Sequence, residues 1–357
     1  MTSRLAELGW NERFAASFEE HASEGRVPGR VVLEHTHIYR VGTEGGEVLA
    51  RVSGRLRHRA ETRPDYPAVG DWVVIAPAQD GDARIHTILP RFSRFSRRAA
   101  GDTTEEQIVA ANIDVVFLVG GLDGDFNPRR LERYLVVAWE SGATPVIVLN
   151  KADLIDDPER HVQEVRVSAP GVDVHAVSAR DPLSLDALST HLGSGRTAAL
   201  LGSSGVGKST IVNRLVGHEL LRTHDVRESD SRGRHTSTNR QLVVLENAQG
   251  ILIDTPGMRE LQLWDTGDSG GDAFADITEL SAGCRFRDCR HMEEPGCAVR
   301  ASVKRGELRA DRFENYRKLA LEREHQNRQV DARAMLEAKR RSKAASKALS
   351  KHPKYRS

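Results

Sequence analysis

The sequence predicts a multidomain protein in three parts. An N-terminal helix and OB-type β-barrel span residues 1–98, an α/β domain carrying a phosphate-binding loop spans 99–275, and a mostly helical, zinc-binding domain with a basic tail spans 276–357. Three observations predict it. Short β-type runs separated by glycine-rich turns fill residues 27–95. Strands and helices alternate from Ile113 to Gly257 around Gly202-Ser203-Ser204-Gly205-Val206-Gly207-Lys208-Ser209-Thr210. The 3 cysteines all fall inside Cys284–Cys297 with a histidine among them.

A chain of 357 residues is long enough for more than one hydrophobic core. With 52 Lys and Arg against 51 Asp and Glu the net charge is +1, so the molecule as a whole is no electrostatic attractor for nucleic acid. The charge is uneven, however: beyond Arg333 the tail carries Lys339, Arg340, Arg341, Lys343, Lys347, Lys351, Lys354 and Arg356 against Glu337 alone. There is no apolar run of membrane-spanning length and no hydrophobic signal core at the N-terminus, which predicts a soluble, cytoplasmic protein without a membrane partner. An odd, clustered set of cysteines argues for a metal site over a disulfide framework.

Residues 1–25 suggest a short amphipathic helix with Trp10, Phe14 and Phe18 as a packing stripe. Five strands are then expected at Arg30–Leu33, His37–Val41, Glu47–Val52, Asp71–Ile75 and Ala83–Ile88, the pattern of a small barrel. The run Arg55-Leu56-Arg57-His58-Arg59 reads as a basic edge loop, with Tyr39 and Tyr66 in neighbouring runs. That mixture suits a nucleic-acid backbone with bases stacked on rings, or else a solvated loop on a structural barrel.

From Ile113 the text is βαβ. Ile113–Val119 is a buried strand, Asn127-Pro128 is an N-cap followed by proline at the first helical position, Leu131, Leu135 and Trp139 line one helix face, and Gly142 ends the helix before the strand Pro145–Leu149. The repetition implies a mostly parallel sheet with ligands at the carboxyl ends of its strands. Residues 202–210 match G-x-x-x-x-G-K-[ST] at every defined position, between a strand at Ala198–Leu201 and a helix from Ser209. In such a loop the glycines turn backbone N–H groups onto phosphate oxygens, Lys208 reaches the β and γ phosphates, and the Ser209 hydroxyl takes Mg²⁺. Asn150-Lys151-Ala152-Asp153 follows a strand end. There Asp153 can accept from the guanine N1–H and 2-amino group, Asn150 braces the site, and the Lys151 stem covers the base. After the strand Val172–Val177, Ser178-Ala179-Arg180 offers a backbone N–H near Ala179 to guanine O6. The polar stretch 223–239, containing Gly233-Arg234-His235-Thr236-Ser237-Thr238, reads as a flexible loop, the first of two switches, whose threonine can reach Mg²⁺ when a γ-phosphate is present. Asp254-Thr255-Pro256-Gly257 places Asp254 to hold Mg²⁺ through water and the Gly257 N–H to sense a γ-phosphate.

The order of these motifs carries a resemblance. Asn150-to-Asp153 and Ser178-Ala179 precede Gly202–Thr210, which precedes Thr236 and Asp254-to-Gly257. In ordinary GTPases the phosphate loop comes first, so the chain looks like a circularly permuted GTPase. A β-barrel in front, a Cys/His cluster behind, Ala68-Val69-Gly70-Asp71-Trp72-Val73 and Gly233-Arg234-His235-Thr236-Ser237-Thr238 make it resemble the ribosome small subunit-dependent GTPase A family (RsgA-type) over about residues 27–300. The resemblance implies a GTP hydrolase, cycling between GTP and GDP with Mg²⁺. It would bind the small ribosomal subunit and its rRNA late in assembly, leave after hydrolysis, and act as a monomer. Ser237 stands where many relatives have threonine, and Thr236 is the favoured Mg²⁺ ligand. Permutation needs only a new linker between nearby termini, here residues 181–196 with Leu183, Leu185, Leu188 and Leu192. Where many GTPases carry a water-orienting glutamine this chain has Met258, which makes His235 the nearest polar candidate; its alternative is a loop histidine that touches phosphate or RNA. With Lys208 and Thr236, His235 completes the catalytic set.

Cys284, Cys289, His291 and Cys297 offer three thiolates and one imidazole, the ligands of a closed structural Zn²⁺ site, the alternatives being buried thiols or a redox pair. The stretch Arg312–Met335 reads as a charged helix, and the tail beyond it contacts RNA phosphates or is simply solvated. Two rival functions stay open: a GTPase of RNA modification or signalling, and a non-catalytic RNA-binding module that holds nucleotide.

Overall fold

Two short helices open the chain, α1 (Arg4–Glu7) and α2 (Glu12–Glu19), the second capped by the Asn11 side chain accepting from the Phe14 N–H. Trp10 and Phe14 pack on Trp72, with ring centroids 4.7 and 5.5 Å apart, and Phe18 packs on Trp10. The computed structural model describes residues 3–22, 25–35, 38–78, 81–98, 106–124, 126–218, 240–246, 249–254, 274–292, 294–310, 312–314, 316–317 and 320. They fall into two units, residues 1–262 with 266–273, and residues 263–265 with 274–357.

In the first unit, β1 (Val27–His35), β2 (Ile38–Thr43) and β3 (Gly46–Val52) form an antiparallel meander, and α3 (Gly54–Arg59) leads on to β4 (Trp72–Ala76) and β5 (Ala83–Ile88). β5 pairs parallel with β3 and antiparallel with β4, and β4 returns to β1, which closes a five-stranded barrel. The five strands sit where the alternation of apolar residues places them. Two expectations do not survive. Residues 55–59 are helical, because the Ser53 hydroxyl caps the turn by accepting from the Leu56 N–H. Tyr39 cannot stack on a base: it is 1% exposed among Val31, Val41 and Val73 in the barrel core, and burial raises the pKa of its hydroxyl.

A buried polar hub joins the barrel to the central part of the chain. Arg30, 1% exposed, donates to the carbonyls of Gly70 (3.2 Å), Leu8 (2.5 Å) and Asn112 (3.0 Å) and lies over the Trp72 ring. Burial lowers its pKa to about 10, opposed by Asp114 and Asp71. Gly70 adopts φ +93°, and a Cβ there would stand 2.1 Å from the Ala111 carbonyl oxygen, so only glycine fits. Asp71 is fully buried, takes a two-pronged contact from Arg91 and accepts from the Ala68 N–H. The Ala68–Val73 motif is thus a structural joint.

The strands β6 (Arg94–Arg98) and β7 (Glu106–Ala111) pair as a separate antiparallel ribbon. Then come β8 (Val115–Gly121), α4 (Pro128–Ser141), β9 (Thr144–Asn150), α5 (Pro158–Ser168), β10 (Asp173–Ala176), α6 (Asp186–Ser189), β11 (Thr197–Gly202), α7 (Lys208–Val216), β12 (Gln241–Val244) and β13 (Ile251–Asp254). Asn127 caps α4, Pro128 takes its first position, and Gly142 ends it at φ 84°. The sheet order is β10-β9-β8-β11-β13-β12, parallel except for β12. β8, β9 and β10 come first in the chain yet flank β11 in one parallel layer, the topology the permuted motif order requires. Leu185, Leu188 and Leu192 of the linker are buried in this core, whereas Leu183 is exposed. β12 also pairs with β1 through Gln241 and Leu33, making barrel and central sheet continuous.

In the second unit α8 (Ala275–Ser281) and α9 (Ala298–Arg305) flank the cysteine segment. Arg312 holds Asp276 through two contacts of 2.7 and 2.8 Å and lies over the Phe274 ring. No helix among the described residues is long and apolar enough to cross a membrane.

Candidate functional site

The carboxyl ends of β11, β9 and β10 converge on one place in the first unit. Three glycines make it possible. At the end of β11 a Cβ on Gly202 would stand 2.3 Å from the Val119 carbonyl oxygen, so the loop can leave the sheet only from glycine. Gly205 and Gly207 have φ of 79° and 98°, and a Cβ on Gly207 would stand 2.1 Å from Asn150 Nδ2. The glycine before Lys208 therefore serves the turn and also makes room for the asparagine of another motif. Lys208 opens α7 and turns its ammonium back onto the carbonyl oxygens of Gly202 (2.6 Å) and Ser203 (2.5 Å). Ser204 and Gly205 are exposed at the loop tip, Val206 is buried beneath it, and Ser209 and Thr210 occupy the first turn of α7, half-buried.

Asn150 is the joint of the site. It is 2% exposed; its Nδ2 donates to the Val206 carbonyl at 2.8 Å and its Oδ1 accepts from the Ala179 N–H at 2.9 Å. One side chain thus ties the phosphate loop to the Ser-Ala turn. The Ala179 N–H, expected to face a base oxygen, is given to Asn150 here. Asp153 Oδ1 accepts from the Ser178 hydroxyl at 2.7 Å, and its Oδ2 lies 3.6 Å from Arg180 Nη1. Lys151 takes the left-handed region at φ 66° and pairs with Asp123. Asp254 ends β13, beside β11 and opposite Gln241 of β12. His235, Thr236, Ser237, Gly257 and Met258 lie outside the described residues, as do the rest of the stretch 223–239 and the tail beyond residue 320.

Sequence reasoning missed three residues here. Arg130 on α4 donates to Ser203 Oγ at 2.5 Å, the Tyr134 hydroxyl lies 3.4 Å from the same oxygen, and Asp123 holds Lys151. For Asp123 the available signal was an acid, the first of two with Asp125, just beyond the end of an otherwise apolar strand; for Arg130 and Tyr134 only the fold provides one.

In the second unit, the ligand atoms of Cys284, Cys289, His291 and Cys297 all lie within 4.8 Å of one another. His291 Nδ1 stands 3.6, 3.5 and 3.4 Å from the sulfurs of Cys284, Cys289 and Cys297, and the Cys284 and Cys297 sulfurs are 3.9 Å apart. Tetrahedral sulfur and nitrogen ligands around one zinc ion would stand roughly 3.5–3.8 Å apart, so the residues fit the ion. Cys297 Sγ also accepts from the Arg300 N–H as the cap of α9, and burial lowers the pKa of His291, favouring the neutral ring that ligation requires.

Comparison with known proteins agrees with this geometry. The family model described as RsgA GTPase matches residues 88–264. One described as ABC transporter matches 185–352, a range that includes the phosphate loop. The chain is 45% identical over 337 residues to the small ribosomal subunit biogenesis GTPase RsgA of Opitutus terrae, covering 92% of each chain. It is 42% identical to small ribosomal subunit biogenesis GTPase RsgA 2 of Lactiplantibacillus plantarum, covering 95% of this chain and 94% of that one. Among solved structures it is similar to YjeQ from Thermotoga maritima, with a TM-score of 0.63 and 27% identity over 82% of this chain and 97% of that one. It is likewise similar to YloQ, a circularly permuted GTPase, with a TM-score of 0.62 and 27% identity over 85% and 96% of the two chains.

Proposed function

The chain belongs to the RsgA GTPase family, and we propose that it hydrolyses GTP while bound to the small ribosomal subunit during late maturation, hydrolysis driving its release. The observation that carries the reading is the double role of Asn150, which holds the phosphate loop at Val206 and the Ser-Ala turn at Ala179 in one network. Phosphate and base recognition are thereby set against each other at a fixed distance. Asp153 reads the guanine edge from its place beside Ser178, and Lys151 covers the base. Loop N–H groups from Ser203 to Thr210 and the Lys208 ammonium hold the phosphates. Magnesium, with Ser209, Thr236 and Asp254 as its holders, would neutralise charge developing on the phosphate oxygens. His235 orients the attacking water, and the Gly257 N–H senses the γ-phosphate.

Cys284, Cys289, His291 and Cys297 hold one structural zinc ion that keeps the second unit folded. The exposed basic face of α3 (Arg55, Arg57, His58, Arg59) meets rRNA phosphates, as does the C-terminal tail. The protein works in the cytoplasm as a monomer. Co-sedimentation with purified small subunits tests the assignment. Pelleting with a non-hydrolysable GTP analogue, and release with GDP, is the expected pattern. Equal recovery in the supernatant with both nucleotides contradicts it and favours a GTPase acting elsewhere.

A further inference from the structure

Each of the three polar side chains in Asn150-Lys151-Ala152-Asp153 is held by a partner. Those of Asn150 and Asp153 lie within motifs that announce themselves in sequence: Val206, Ala179 and Ser178. The partner of Lys151 does not. It is Asp123, just past the end of β8, whose Oδ2 contacts Lys151 Nζ.

We infer that Asp123 is a positioning residue for the guanine base, fixing the Lys151 stem across the base and so setting how long the nucleotide stays bound. Four features of the geometry lead there. The Leu122 N–H donates to the Asn150 carbonyl at 2.7 Å, so the segment carrying Asp123 is tied to the strand that carries the base-reading motif. A Cβ on Gly121 would stand 2.8 Å from Asp123 Oδ1, so the carboxylate folds over a glycine that leaves it room. Lys151 adopts φ 66° and ψ 34°, a conformation unfavourable for a residue with a Cβ, and an ion pair at its far end helps to hold it there. Both side chains are about a quarter exposed, 27% and 28%, so the pair is wet enough to open and close as nucleotide exchanges, yet shielded enough for its charges to attract. Without Asp123 the lysine stem regains its rotamers and the base loses a fixed wall.

The inference rests on the guanine site proposed above, and dissociation kinetics separate the two. A fluorescent GDP analogue is bound and chased with excess GDP. Binding by the wild-type protein is the premise; if it takes up no guanine nucleotide, the site assignment itself falls. Given binding, Asp123→Ala is expected to raise the dissociation rate about tenfold at an unchanged melting temperature, and Asp123→Asn, which keeps an acceptor without the charge, to fall between. In a Lys151→Met background Asp123→Ala is expected to add nothing, because both act through one stem. A wild-type dissociation rate in Asp123→Ala, or effects of the two substitutions that multiply, overturns the inference.

Discussion

Replacing Asp153 with asparagine is the sharpest chemical test of base recognition. The carboxylate accepts from the Ser178 hydroxyl at 2.7 Å through Oδ1, and its Oδ2 lies 3.6 Å from Arg180 Nη1. In the variant one oxygen keeps the serine, while an amide donor replaces the other acceptor and faces the donor groups of guanine. A hydrogen bond to a charged group contributes about 1.5–3 kcal/mol. Because the Asp153 side chain is 34% exposed, water compensates part of this, and the expected loss for GTP is about 2 kcal/mol, roughly thirtyfold in affinity. Xanthosine triphosphate has a carbonyl where guanine has its amino group, so it should gain by a comparable factor. Competition of both nucleotides against a fluorescent guanine analogue measures the two changes. GTP affinity within twofold of wild type, or no gain for the xanthine nucleotide, means that another residue reads the base.

The zinc site, the first switch and a histidine pair each yield a further test. Metal analysis should return one zinc per chain, lost in Cys289→Ala with unfolding of the second unit and with GTP binding retained, since no nucleotide motif lies there; a zinc-free native protein contradicts the site. His235→Ala should keep GTP and subunit binding but lose the subunit-stimulated rate by a factor of about 10² or more, and a bound variant turning over at the stimulated wild-type rate removes the residue from catalysis. His175 Nε2 lies 2.8 Å from His191 Nε2, and burial, then His191, lowers the His175 pKa; Asp173 opposes this and Arg166 adds to it. Near pH 6 the unfolded chain then holds more protons than the folded one. Stability should therefore be full above about pH 6.5 and decline as acid takes the pH below the ordinary histidine value, less steeply in His175→Gln; equal slopes for the two proteins contradict this.

Much of the fold was legible because local geometry dictates it. Asn127-Pro128 and Gly142 bracket α4 by capping chemistry alone, and the phosphate loop needs its glycines for φ values other residues avoid. What stayed hidden depends on distant partners. Tyr39 alternates with the exposed Arg40 and shares its face with Val41, but only the closure of the strands into a barrel makes that face the core rather than a ring platform. Arg30 looks like an ordinary basic residue until three carbonyls from Leu8, Gly70 and Asn112 surround it. The helix at 54–59 lacks an apolar period, and β6, Arg94-Phe95-Ser96-Arg97-Arg98, carries a single apolar residue and so no strand pattern. Within the site, the structure brings together the described motif residues Asn150, Asp153, Ser178, Ala179 and Val206, whereas Asp123, Arg130 and Tyr134 lie outside any nucleotide motif and reach the site only through the fold.

The most direct measurement is GTP turnover by the purified protein with and without purified small ribosomal subunits. With Met258 in place of a water-orienting glutamine, intrinsic hydrolysis should be slow, and subunit contact should raise the rate by orders of magnitude, saturably and with GTP preferred over ATP. Turnover that small subunits leave unchanged, or that they stimulate no more than large subunits do, contradicts the account.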